Sequence, residues 1–170
     1  TDFGENKVQE AVEKWTSIKQ DFPKIKLHLL GKLQTNKVKF VLPLFDYIHS
    51  LDSLKLASKI SEQQLKKNFK PKIFIQVNIG DEIQKGGIDI DNLSIFYKKC
   101  VEDLKLDIIG LMSIPPFDKD PKPYFIKMRE LSENLKLKDI SMGMSNDYLE
   151  AIKQGSTFIR IGSKIFGARG

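Results

Sequence analysis

The 170-residue chain has one cysteine, one tryptophan and two histidines, and only three arginines, Arg129, Arg160 and Arg169, among its 28 basic residues. Each scarcity excludes something. A lone thiol, Cys100, cannot form an internal disulfide. It falls on a helical pattern with Phe96, Tyr97 and Val101, which reads as a buried structural thiol in a reducing, cytosolic compartment. So few histidines and cysteines, scattered apart, leave no ligand set for a metal. No run approaches the ~18 uncharged apolar residues of a membrane-spanning helix, and no charged-then-apolar secretory pattern occurs at the start. The net charge of +6 is carried almost wholly by lysines set among acids, as at Lys66-Lys67 and Lys98-Lys99. Base-reading proteins favour arginine, so neither nucleic acid nor a membrane is expected as a partner.

Short apolar runs alternate with amphipathic helical patterns along the whole chain. Strands are expected at the start (the tail of one, residues 1–5), 26–30, 47–50, 73–79, 106–112, 139–142 and 157–161. Helices are expected over 7–19, 33–42, 54–69, 91–104, 124–135 and 146–153. Asp52-Ser53 is placed to cap the third, with Leu54, Ala57, Ile60 and Leu65 near one face; Asn146 or Asp147 would cap the last. The loop after the fifth strand, 113–123, holds four of the seven prolines and is expected to be stiff. No linker divides residues 1–170, which read as a single domain. Repeated β-then-α order argues a parallel sheet, either doubly wound or a (β/α)8 barrel. The barrel is favoured, because polar or glycine residues follow nearly every strand and no dinucleotide fingerprint follows the first. Seven strands are one short of closure, so the first β/α unit is expected to be missing upstream of Thr1.

The strand ends bring together Asn6, Gly31, Ser50, Asn78, Met112-Ser113, residues 141–145 and residues 160–163. This set has hydroxyls, amides and one arginine, without the carboxylate pair of a glycosidase. Neither a Walker lysine motif nor a Gly-x-Ser-x-Gly elbow occurs. His28 and His49 lie inside strands and are expected to pack in the core rather than act in catalysis. The most informative stretch is 157–170, read as a buried strand that breaks at Gly162-Ser163 into a short terminal helix. Gly162 permits close approach of a ligand. The amides that follow, the Ser163 hydroxyl and the Arg160 charge would suit a phosphate, with help from the helix dipole.

Several motifs then match together, in order and spacing. They are Phe3-Gly-Glu-Asn6 with Val8-Gln-Glu10, Leu30-Gly-Lys-Leu-Gln-Thr-Asn-Lys37, His49-Ser-Leu-Asp-Ser53, and Gln76-Val-Asn-Ile79 with Lys85-Gly-Gly87. Gly110-Leu-Met112 with Ile114-Pro115, Ser141-Met-Gly-Met-Ser145 with Asp147, and Arg160-Ile-Gly-Ser163 with Phe166-Gly167 complete the set. Across its length the chain resembles the pyridoxal phosphate homeostasis protein family. The resemblance implies a barrel like the N-terminal domain of alanine racemase, with pyridoxal 5′-phosphate (PLP) as cofactor. It places Arg160, Gly162 and Ser163 at the phosphate end, Ser141, Met144 and Ser145 beside the ring and phosphate, and Asn6 near the ring. It also implies a carrier or regulator of PLP without catalytic turnover, with PLP-dependent apo-enzymes as candidate recipients and a monomer or weak dimer as the assembly.

The family's Schiff-base lysine lies in an Ala-Val-Ser-Lys-like segment before the Phe-Gly-Glu-Asn match, and is expected upstream of Thr1. Lys32, Lys85 and Lys164 stand in matching motifs, but none occupies that position. The alternative reading is a PLP-dependent amino-acid racemase-like enzyme. In such enzymes a tyrosine of a second domain supplies an acid–base group, whereas Tyr47, Tyr97, Tyr124 and Tyr148 fall in strand or helix patterns here.

Overall fold

The computed structural model describes residues 1–82 and 86–167. Seven strands alternate with helices: β1 (Asp2–Glu5), α1 (Val8–Asp21), β2 (Lys26–Leu29), α2 (Val38–Val41), β3 (Tyr47–Leu51), α3 (Leu54–Lys67) and β4 (Lys72–Gln76). They continue with α4 (Leu93–Lys98), β5 (Asp107–Met112), α5 (Lys122–Asn134), β6 (Asp139–Met144), α6 (Tyr148–Lys153), β7 (Phe158–Arg160) and α7 (Ser163–Phe166). All neighbouring strands pair in parallel, in the order β1 to β7. A doubly wound sheet reverses its strand order at a switch point; this one never does.

The sheet curls into a barrel. Flat, β2 and β7 would lie five strand spacings apart, roughly 24 Å. Instead the His28 and Phe158 ring centroids are 6.0 Å apart. Phe158 also meets Phe74 of β4 edge-on at 5.1 Å, so side chains from opposite walls touch across the interior. Among the described residues no strand joins β7 to β1, and these two form the edges of the sheet.

That edge position corrects the reading of 157–161 as a buried strand. Phe158 and Arg160 are half-buried, and Ile159 is 40% exposed. Two helix readings also change. Ser53 caps α3, its hydroxyl accepting from the Leu56 amide at 3.4 Å. The buried face, however, runs through Leu56, Ala57, Ile60, Gln63 and Gln64, while Leu54 and Leu65 are exposed. Gln64 is held there by its amide, which donates to the Lys105 carbonyl. The helix expected over 91–104 is composite: a 3-10 turn at Ile90–Asn92, α4, and a π turn at Lys99–Asp103.

Outward-facing strand residues such as Leu27, Leu29, Ile48, Ile73, Ile75 and Ile140 pack beneath the helices with Trp15, Ile60, Phe96 and Phe125. Cys100 is buried among them, and desolvation pushes its thiol up to about 12. It is the inert structural thiol that its pattern indicated. No described helix is long and apolar enough to cross a membrane.

Candidate functional site at the strand ends

In a parallel barrel the C-terminal ends of all strands face one side. That side gathers the predicted residues. Asn6 follows β1 and is exposed, and its carbonyl oxygen lies 2.0 Å from where a Cβ on Gly31 would sit. Only glycine after β2 lets these two strand ends approach so closely. At the end of β6, Gly143 takes φ +91°, a conformation open to glycine at little cost. The Asp147 carboxylate, at the start of α6, accepts from the Met144 amide at 2.6 Å. This turn is thereby tied down, and Ser145 reaches toward β7. Its hydroxyl accepts from the Gly162 amide at a long 3.4 Å.

Gly162 and Ser163 are exposed at the rim. A Cβ built on Gly162 meets no heavy atom within 4 Å. Nothing in the protein itself therefore requires a glycine there. The Ser163 and Lys164 amides, first in α7, have no acceptor within the helix by its geometry. With four residues, α7 contributes donors rather than a developed dipole, which narrows the sequence argument to hydrogen bonding.

Arg160 behaves differently from its two neighbours. Its guanidinium turns inward, NH1 donating to Ser141 Oγ at 2.7 Å and NH2 to the Ser113 carbonyl at 2.8 Å. Burial lowers its pKa to about 10, opposed by the Asp147 charge, so it stays protonated at neutral pH. Each terminal guanidinium nitrogen keeps a further N–H for a ligand. Ser141 is fully buried and Met144 half-buried. The structure thus bonds Arg160 to Ser141 and Gly162 to Ser145, two pairs that tie β7 to β6. Met144 and Ser163 lie beside them in sequence, and Asn6 stands at the first strand end.

Sequence reasoning missed two features. Ser113 Oγ and Ser50 Oγ, at the ends of β5 and β3, are buried with no hydrogen-bond partner among the described residues. Buried hydroxyls are normally satisfied, which sets these two apart from the other buried serines at the strand ends, Ser141 and Ser145, both of which are bonded. The second feature is a chain of contacts behind Arg160. His49 Nδ1 lies 2.9 Å from Ser141 Oγ, and His49 Nε2 lies 3.0 Å from His28 Nδ1. Both histidines are buried, as expected of packing residues. His28 stacks on Tyr47 and His49 on Phe74. No pattern local to β2 or β3 signals that the two rings meet.

Of the lysines in family-like motifs, Lys32 is exposed, Lys164 Nζ sits 4.7 Å from the Tyr148 ring centroid, and Lys85 lies outside the described residues. Among the described residues no group of three or more His, Cys, Asp or Glu could hold a metal. A cavity of about 160 Å³ opens at the end of β4, between Gln76, Asn78, Gly86 and Ile114.

Comparison with known proteins agrees with this fold. The sequence model of the alanine racemase N-terminal domain matches residues 1–170. The pyridoxal phosphate homeostasis protein of Aquifex aeolicus is 40% identical over 98% of this chain and 76% of its own length. That of Haemophilus influenzae is 41% identical over 99% and 76%. Among solved structures, PipY of Synechococcus elongatus without PLP superposes with a TM-score of 0.91 at 35% identity, covering 97% of this chain and 81% of that one. Its PLP-bound form gives 0.86 over the same shares. Alanine racemase of Clostridium difficile, at 15% identity and TM-score 0.73, shares the barrel over 99% of this chain and 45% of its own. The chain belongs to the alanine racemase N-terminal domain family and, within it, to the pyridoxal phosphate homeostasis proteins.

Proposed function

We propose that this chain binds pyridoxal 5′-phosphate at the C-terminal ends of its strands and acts in intracellular PLP homeostasis as a carrier or regulator of that cofactor. The observation that carries the reading is the rim around Gly162. There a side-chain-sized space, exposed amides and the Ser145 hydroxyl converge above an inward-turned arginine. PLP fits this donor set. Its phosphate is a multiple acceptor for the Gly162, Ser163 and Lys164 amides and for the Ser145 and Ser163 hydroxyls. Arg160, held from beneath by Ser141 and Ser113, serves the inner side of the ligand, with Met144 and Asn6 flanking it. The partnerless Ser50 and Ser113 hydroxyls are consistent with a polar ligand here. The likeness to PipY, solved with PLP bound, supports the same reading.

When bound, PLP supplies an electron sink, and the protein's acid–base groups decide which bond reacts. Of the four tyrosines, Tyr47 stacks inside the barrel on His28, and Tyr97, Tyr124 and Tyr148 lie on helices. The carrier reading is supported by the likeness to proteins named for pyridoxal phosphate homeostasis. Neither Lys32 nor Lys164 is aimed at the interior, so neither is proposed as the Schiff-base lysine. The family's position upstream of the Phe3 motif remains the proposed one.

The binding reading is tested by titrating the protein with PLP and with pyridoxal, which lacks the phosphate. PLP is expected to bind at least tenfold more tightly, and equal affinities would remove the phosphate site. The carrier reading is tested by α-proton exchange of amino acids in deuterated water. Exchange at about 1 s⁻¹ or faster, ordinary for an enzyme, would replace it with the racemase-like alternative.

A further inference from the structure

We propose that His28 and His49 are positioning residues. They belong to a hydrogen-bond chain of fixed polarity, running Asp2–His28–His49–Ser141–Arg160, that sets the place of the Arg160 guanidinium from the opposite end of the barrel. Its consequence for a ligand rests on the PLP reading; its polarity does not.

The polarity follows from the two ends. Asp2 Oδ1 lies 3.1 Å from His28 Nε2, and an ionised carboxylate only accepts. A neutral His28 must therefore carry its proton on Nε2, leaving Nδ1 as an acceptor. His49 Nε2, 3.0 Å away, must then be the N–H that donates to it. His49 Nδ1 is left bare and accepts the Ser141 hydroxyl proton across 2.9 Å. Ser141 Oγ consequently turns lone pairs toward Arg160, whose NH1 donates to it at 2.7 Å. Guanidinium only donates, so the Arg160 end is compatible with the direction that Asp2 sets, and each link is satisfied.

The surroundings keep both rings neutral. Burial lowers the pKa of His28 against the opposing Asp2 bond and the charges of Asp2 and Asp46. His49 is held well below the ordinary range by burial and by His28 and Arg160. His28 is faced by Asp2 of β1, Asp46 before β3, Tyr47 and His49 of β3, and Phe158 of β7. His49 is faced by His28 of β2, Phe74 of β4, Ser141 of β6, and Phe158 and Arg160 of β7.

Protonating His28 would put a proton on its Nδ1 and reverse the chain link by link. His49 would move to the Nδ1–H tautomer and donate to Ser141, whose own O–H would be released into the site. Asp2, whose side chain is 67% exposed and which lies at the start of β1 away from Gly162, is the handle for a test. Asp2→Asn replaces a pure acceptor by an amide that can also donate, so both directions become available. Asp2→Glu restores a pure acceptor.

The test is nitrogen-15 NMR of the imidazoles and of the Arg160 guanidinium, on the wild type and both variants. Both histidines of the wild type are expected as neutral Nε2–H tautomers at pH 7.5. On acidification the His49 tautomer should change at the same midpoint as His28 ionisation. Asp2→Asn should mix the His49 tautomers, broaden the Arg160 guanidinium signals and raise the PLP dissociation constant severalfold, with its thermal midpoint unchanged. Asp2→Glu should reverse all three effects. A neutral Nδ1–H tautomer at either histidine in the wild type would overturn the proposal. So would independent titration of the two rings, or an Asp2→Asn variant with mixed tautomers but unaltered Arg160 signals. If wild-type protein fails to bind PLP, the functional reading fails, while the tautomer and guanidinium results still decide the chain.

Discussion

The two ends of the barrel treat their polar groups in opposite ways. At the N-terminal end of the strands, the Asp46 carboxylate accepts from Lys19 Nζ at 2.8 Å, the Leu27 amide at 2.9 Å and Lys26 Nζ at 3.4 Å. Lys19 also donates to the Leu44 carbonyl. Every one of these groups serves to fasten α1, β2 and β3 together. At the C-terminal end, Ser50 and Ser113 keep buried hydroxyls without a partner, and the Gly162 amide reaches Ser145 only at 3.4 Å. Around Asp46 the polar groups complete the fold, whereas at the C-terminal end two buried hydroxyls are left without a partner among the described residues.

The largest effect that can break this contrast is expected at the satisfied end. Asp46→Ala leaves the Leu27 amide without its acceptor and Lys19 with the Leu44 carbonyl alone, in a mostly buried setting, and should cost about 2–3 kcal/mol in denaturant unfolding. PLP affinity of the folded fraction should be unchanged. The same group has a pH signature. Desolvation would raise its pKa, but the Lys19 hydrogen bond, the Leu27 amide and the charges of Lys19 and Lys26 outweigh it and depress the value. The folded state then holds fewer protons than the unfolded one. The Asp46 contribution is therefore full above the ordinary carboxylate pKa and is lost as pH falls through the depressed folded value. Acid titration of Asp46→Asn should lack that component.

Smaller effects, of the opposite sign, are expected at the open end. Ser113→Ala and Ser50→Ala each remove a desolvated hydroxyl that bonds to nothing among the described residues. Both should leave the ligand-free protein as stable as before or stabilise it by up to about 1 kcal/mol. Each should weaken PLP binding, measured by fluorescence or absorbance titration. A stability loss like that of Asp46→Ala would erase the distinction between the ends. Smallest is the expected chemical change at the rim lysines. Borohydride treatment of the 170-residue chain with one equivalent of PLP should give no stoichiometric adduct at Lys32 or Lys164 by mass spectrometry. An adduct mapped there would reassign the active lysine.

Much of this arrangement was legible in local sequence pattern. The βα alternation placed β2, β3 and β5 within a residue of their observed limits, and the Gly162-Ser163 break was visible because glycine and serine interrupt an apolar run. The buried face of α3 was not legible, because Gln63 and Gln64 occupy its last turn and the Gln64 amide donates to the distant Lys105 carbonyl. The exposure of Ile159 was hidden for a different reason: a strand's composition does not say whether it lies at an edge. The chain from Asp2 to Arg160 was equally invisible. It joins residues on β1, β2, β3, β6 and β7, and their meeting depends on the curl of the whole sheet.

The central claim is that the space above Gly162 belongs to the phosphate of PLP. Gly162→Val tests it most directly, because a Cβ there touches no protein atom within 4 Å and the fold gives no reason for a penalty. The measurement is the PLP dissociation constant of wild type and variant by titration, beside their thermal midpoints. The account predicts matching midpoints and a dissociation constant raised tenfold or more, about 1.4 kcal/mol. Unchanged PLP affinity in the Val variant would contradict it.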